Sequence, residues 1–268
     1  MRSIADELRN SGIFSNDSQA DDFAFCGFAA HVIEPGVLRA VALNTLIYTI
    51  QMNPTTNELD PCGQFAWLRK QLTVASNAGE RVHLISHIPP ALPFWKESYF
   101  RKYKQIIQDF AGVVDAQFYG HIHRFGYMAS DSLPPLFLGG PVTRISHTAP
   151  DFTLMPFRGT QGSVVDDRVQ WTFFNATQTW EPHASLRGVL GLSTLSPAAL
   201  VNASVAMLRG NASTFDRFYA LFEGGFATHS PSGLDQLAVS CFSLAFDWTD
   251  AFRECLGSVL GSFWGPGL

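Results

Sequence analysis

Compact apolar runs alternate with helically spaced apolar positions through the first half of the chain. Residues from Phe23 to Tyr48 read as extended chain, and the run Val37 to Leu43, after the turn Glu34-Pro35-Gly36, predicts a buried strand. Asp60-Pro61 then offers a capping residue with proline at the first helical position. Phe65, Leu68, Leu72 and Ala75 repeat at helical spacing until Gly79, so a helix is expected over about 61–77. Arg81 to Ser86 is the next strand, stopped by Pro89-Pro90, which leaves His87 at its C-terminal tip. The cycle repeats: Tyr99, Tyr103, Ile106, Ile107 and Phe110 mark a helix ending at Gly112, and Val113 to Tyr119 is a strand running straight into Gly120-His121-Ile122-His123. Two strand–helix–strand units in succession predict an α/β layered domain whose site residues lie beyond the strand tips.

More strand follows from about Phe125 to Phe174, broken by Pro134-Pro135 and Gly139-Gly140-Pro141. After Trp180, Pro197 to Glu223 and Leu234 to Leu260 are helix-like. The expected organisation is therefore an α/β part over 1–180 and a C-terminal helical subdomain over 181–268. Met1 to Arg9 has the period of a short amphipathic helix rather than the apolar run of a signal peptide, and no stretch of about 18 apolar residues predicts a transmembrane segment.

Composition narrows the function classes. The 268 residues are 46% hydrophobic and 15% charged, which excludes a disordered chain. The net charge of −5, without a basic block, excludes the broad footprint that a nucleic-acid polymer needs. Four cysteines, Cys26, Cys62, Cys241 and Cys255, form no C-x-x-C pair and permit two disulfides; Cys241 and Cys255 both fall in the helical tail and are the candidates for a bridge there. Sequons at Asn16, Asn175, Asn202 and Asn211, with the even cysteine count, point to an extracellular or lysosome-like compartment. A secreted chain needs a leader that this start does not provide, so upstream residues are expected to be missing.

The candidate chemistry is His87, His121 and His123. Two histidines separated by one residue in extended chain would face the same side, a preceding glycine would let the backbone turn at the strand exit, and consecutive strands are usually neighbours. Three imidazoles would then converge, as ligands for Zn²⁺ or a similar ion. A single histidine is more often structural, which is the reading given to His31, His83, His183 and His229, with His147 intermediate.

The joint pattern is more specific. Leu43-Asn44-Thr45, Asp60 to Leu68, His87-Ile88-Pro89-Pro90 and Tyr119-Gly120-His121-Ile122-His123 resemble, in order and spacing through about Phe157, the acid sphingomyelinase-like phosphodiesterases of the calcineurin-like metallophosphoesterase superfamily. Gly140 to Arg144 looks like a drifted version of a family stretch, and the tail is similar to the family's C-terminal region. The resemblance implies an incomplete calcineurin-like layered β-sandwich flanked by helices. It implies His87 and His121 on one metal and His123 on the other, the two metals usually zinc. It further implies a phosphodiester substrate, either a small molecule such as a nucleotide or a lipid headgroup.

The family's remaining ligands lie in an Asp-x-His, a Gly-Asp and a Gly-Asn-His-Asp motif, whose histidine protonates the leaving group; none occurs here. The expectation is a C-terminal portion of such an enzyme, with weak, at best mononuclear metal binding and negligible hydrolysis. The other reading is a non-catalytic binding or regulatory remnant, associating with a full-length homologue.

Overall fold

A computed structural model of the chain describes residues 1–14, 16–50, 58–91, 94–144, 148–159, 163–224, 230–244 and 255. The chain divides into two compact units, one formed by 1–121 with 158–164, the other by 122–157 with 165–268. The short strands β8 (Phe157–Arg158) and β9 (Val164–Val165) fall where the chain passes from one to the other and back. No described helix is long and apolar enough to cross a membrane.

The first unit opens with α1 (Arg2–Asn10) and α2 (Asp17–Cys26). The second of these is a correction to the extended reading from Phe23: Asn16 accepts from the Gln19 N–H at its start, and Gly27, at φ 80°, ends it in the left-handed conformation. Such terminal signals hold a helix whose apolar positions form no regular stripe. Strands β1 (Ala29–Glu34) and β2 (Leu38–Ala42) are antiparallel across the expected turn; β2, β3 (Arg81–Ile85) and β4 (Val114–Tyr119) run parallel. Helix α3 (Gln64–Asn77) joins β2 to β3, and α4 (Glu97–Asp109) joins β3 to β4.

Helix α3 begins later than the proline predicts. Pro61–Gly63 is a 3₁₀ turn with Cys62 at φ 57°, and the Asp60 carboxylate reaches past it to accept from the Phe65 and Ala66 N–H groups. Cys62 is disulfide-bonded to Cys26, so the turn is tied to the end of α2. Beneath lies an aromatic core: Tyr48 stacks on Phe65 at 4.5 Å between centroids, with Trp95, Tyr99 and Tyr103 packed around them.

In the second unit, β5 (Gly126–Ser130) and β6 (Leu133–Leu138) form a hairpin whose strands are buried throughout, and β7 (Asp151–Leu154), β10 (Val169–Phe174) and β11 (Thr179–Ser185) form an antiparallel sheet. Helices α5 (Leu186–Leu190), α6 (Pro197–Leu208), α7 (Ala212–Phe222) and α8 (Gly233–Ser243) follow, and Cys241 is bonded to Cys255. The predicted helix to Leu260 otherwise lies outside the described residues. The fold class is α/β.

The centre of this unit is charged. Arg168, 1% exposed, donates to the carbonyl oxygens of Gly126 and Leu138 at 2.6 and 2.9 Å. Those residues are register partners in the hairpin, and the guanidinium lies 4.3 and 5.0 Å from the centroids of Phe125 and Phe137. Burial lowers its pKa to about 9, so the charge is kept at neutral pH.

Candidate metal centre

Parallel pairing brings the C-terminal ends of β2, β3 and β4 to one edge, with Ala42 opposite Ile85 and Ile85 opposite Phe118. Open sheets place their sites at that edge, since the loops leaving it are free to carry polar groups. The chain beyond each tip is fastened to its neighbour. Ser86 N–H donates to Phe118 O, and Gly120 N–H to His87 O, both at 2.9 Å.

A second set of bonds fixes the His87 loop from the β2 side. Buried Gln64 accepts from Asn44 N–H at 2.8 Å and donates to Tyr48 Oη at 2.7 Å. This holds the 3₁₀ turn Thr45–Tyr48, whose buried Thr45 hydroxyl accepts from Ile88 N–H and meets the Ser86 hydroxyl, each at 2.9 Å. Trp95 Nε1 donates to Ile88 O at 3.2 Å. His87 is thus an exposed side chain between two anchored neighbours.

Opposite it stands His121. Nδ1 of His121 and Nε2 of His87 are 3.3 Å apart, with the rings close to perpendicular at 80°. For a hydrogen bond that distance is long. It fits a shared divalent ion, because two nitrogens each about 2.0–2.1 Å from a tetrahedral Zn²⁺ stand about 3.3 Å from one another. The ring of Phe94 packs against that of His121, 5.2 Å between centroids and close to perpendicular at 87°.

The backbone reaches this arrangement by a different route from the one the sequence suggests. Strand β4 ends at Tyr119, and His121 and His123 both lie in the left-handed region, at φ 73° and 55°, whereas Gly120 does not. Alternation in extended chain therefore does not apply to the His-x-His pair, and the histidines rather than the glycine carry the turn. Left-handed non-glycine residues are uncommon and cluster at functional sites, where surrounding structure holds them.

His87 and His121 are brought together; among the described residues no three His, Cys, Asp or Glu side chains form a group able to hold a metal ion. In the second unit, the neighbours of His123, Ile122 and Arg124, line an open cavity of about 320 Å³ with Tyr219, Phe222, Glu223 and Phe242. His83 is buried and bonded to Ser163 O at 2.6 Å, and burial lowers its pKa, the behaviour of a structural histidine. His31 lies 3.5 Å from the Gln19 amide, and His183 is half-buried with a lowered pKa from that burial. His147 and His229 lie outside the described residues. The asparagines of all four sequons, Asn16, Asn175, Asn202 and Asn211, are exposed.

Thr45 and Gln64 lie in two of the segments that carry the resemblance, although their part in the site was not legible there, and Trp95 lies in none of them. Phe94, too, could be found only once the fold brought it to His121.

No protein-family model matches the chain. Curated relatives do. Human sphingomyelin phosphodiesterase is 30% identical over 242 residues, 82% of this chain and 37% of its own length. A sphingomyelinase phosphodiesterase D of Dictyostelium discoideum is 31% identical over 166 residues, 56% of this chain and 37% of its own. The bovine cyclic GMP-AMP phosphodiesterase SMPDL3A is 27% identical over 248 residues, 81% of this chain and 54% of its own. Among solved structures, a dimetal phosphatase from Danio rerio aligns with a TM-score of 0.40 at 16% identity, covering 60% of this chain and 63% of that one.

Phosphodiesterases are thus the class of protein to which the sequence is similar. Within that class the chain is a relative of the acid sphingomyelinase-like phosphodiesterases, and it spans between about a third and a half of the length of these three relatives.

Proposed function

We propose that the protein is a metal-dependent phosphoric diester hydrolase of the acid sphingomyelinase-like type within the calcineurin-like metallophosphoesterase superfamily. In this reading His87 and His121 are ligands of one zinc ion and His123 is a ligand of a second. The observation that carries it is the 3.3 Å approach of Nδ1 of His121 to Nε2 of His87 at adjacent tips of parallel strands. The names of the relatives support the phosphodiester part, and they include both sphingomyelin and a cyclic nucleotide. The substrate shared by those chemistries is a phosphodiester of a small alcohol or a lipid headgroup.

Bound divalent ions supply a hydroxide near neutral pH and neutralise phosphate oxygens. The chain's part is to hold and orient imidazoles at an edge open to solvent. With no carboxylate in the His87–His121 pair, metal binding by these residues alone is expected to be weak, and hydrolysis slow. The two disulfides and the exposed sequons support passage through the secretory route.

The test is zinc stoichiometry by competition with a chromogenic chelator, together with hydrolysis of bis(p-nitrophenyl) phosphate, for the chain and its His87→Ala and His121→Ala variants. Zinc affinity lowered at least tenfold by each substitution is expected. Affinity unchanged in both would refute the ligand assignment. Zinc bound through the pair, with no hydrolysis by the chain above that of zinc alone, would favour a non-catalytic binding or regulatory protein instead.

A further inference from the structure

One side chain fastens the loop that carries His123. Arg124 donates from Nη1 to the carbonyl oxygen of His123 and from Nε to Oε1 of Glu223, both at 3.1 Å. Its guanidinium lies 6.0 Å from the centroid of Phe222. The two charged side chains are only 18% and 17% exposed, which separates this pair from the solvent-screened ion pairs that usually contribute little. Glu223 caps the C-terminus of α7, and Phe215, Phe218 and Leu221 bury that helix, so the carboxylate is presented from a packed element.

The fastened peptide is one that needs holding. His123 sits at φ 55°, a conformation that a residue with a Cβ leaves unless its surroundings over-determine it. A guanidinium suits the task because its fork reaches two acceptors at once, and the ring of Phe222 limits where the fork can move. An ammonium is a single point and cannot span a carbonyl and a carboxylate in the same way.

We propose that Arg124 is the positioning residue for His123: anchored on Glu223 and Phe222, it holds the His123 carbonyl and keeps the peptide in the left-handed conformation from which the imidazole serves as a metal ligand. The inference rests on the functional reading above for the ligand role alone. The latch itself is a property of the metal-free chain. Arg124 and Glu223 also line the cavity together with Ile122, so the same contact shapes that space.

Two readouts test it on the whole chain. The first is backbone hydrogen exchange at Ile122–Phe125 in the metal-free protein; the second is zinc affinity by chelator competition. The variants are Arg124→Gln, Arg124→Lys, Glu223→Gln and His123→Ala. Arg124→Gln is expected to speed exchange at those amides at least tenfold, to leave α6–α8 protected, and to change zinc binding in the same direction as His123→Ala. Arg124→Lys should behave like Arg124→Gln, and Glu223→Gln should fall between them and the wild type.

Unchanged exchange at Ile122–Phe125 in a folded Arg124→Gln protein would overturn the latch, as would acceleration spread evenly over the helices. If Arg124→Gln does not fold, Arg124→Lys and Glu223→Gln keep a similar volume and decide the question. Zinc binding unaffected by His123→Ala would overturn the ligand role, and it is distinguishable from failure of the latch because exchange is read without metal.

Discussion

Replacing Arg168 by methionine keeps much of its length and removes its charge. The wild-type guanidinium donates to Gly126 O and Leu138 O and lies against the faces of Phe125 and Phe137. Two hydrogen bonds from a charged donor are worth about 1.5–3 kcal/mol each, and a desolvated cation–π contact about 2 kcal/mol. Against this stands the desolvation of a buried ion, several kcal/mol, made worse because Nε has no partner. Removing one member of a buried charged network leaves acceptors stranded, here two carbonyls and nearby Asp151, so the net loss is expected at about 3–5 kcal/mol. Urea unfolding at pH 7, followed by tryptophan fluorescence, measures it. Arg168→Lys should lose a similar amount, since one ammonium cannot reach both carbonyls. A loss below about 1 kcal/mol for Arg168→Met would refute the reasoning, because it would mean that desolvation cancels the contacts.

Three further outcomes follow from particular contacts. Burial raises the Asp151 carboxyl to about 6 from 3.8, against the lowering effects of the Gln170 amide, Arg168 and Gly140 N–H. A raised acid contributes stability below its unfolded value and loses it as pH rises, so on the order of 3 kcal/mol should disappear between about pH 4 and 6. Urea midpoints across that range should be flatter in Asp151→Asn, and an identical pH slope would disprove the assignment. Cys26→Ser opens a bridge spanning 36 residues and should cost about 4 kcal/mol in the chain-entropy account, measured against a wild type kept oxidised. Thr45→Val strands the Ile88 N–H and should cost about 1–2 kcal/mol. It should also weaken zinc binding through the His87 loop; full affinity with the expected loss of stability would detach that loop's anchoring from the site.

Hydrophobic spacing alone was enough to define the alternation of β3, α4 and β4 and the position of His87 at a strand tip, because strand and helix periods are local and prolines stop them where they stand. It also marked the Gly-His-Ile-His segment and the helices α6 and α7. Spacing failed where single capping residues, or a partner distant in sequence, decide the backbone. The residues before Cys26 fold as helix under an Asn16 cap and a Gly27 terminator, and α3 starts after a turn tied through Cys62 to Cys26.

For the site, residue types and order sufficed to single out the three histidines, but not their conformations. The left-handed backbone at 123 rests on a contact of Arg124 with Glu223, 99 residues apart, and no periodicity encodes such a contact. Likewise the sequence could nominate His87 and His121, whereas the parallel register of β3 and β4 sets their nitrogens 3.3 Å apart. Identity of a side chain is written locally; the distance between two of them depends on how the strands that carry them pair.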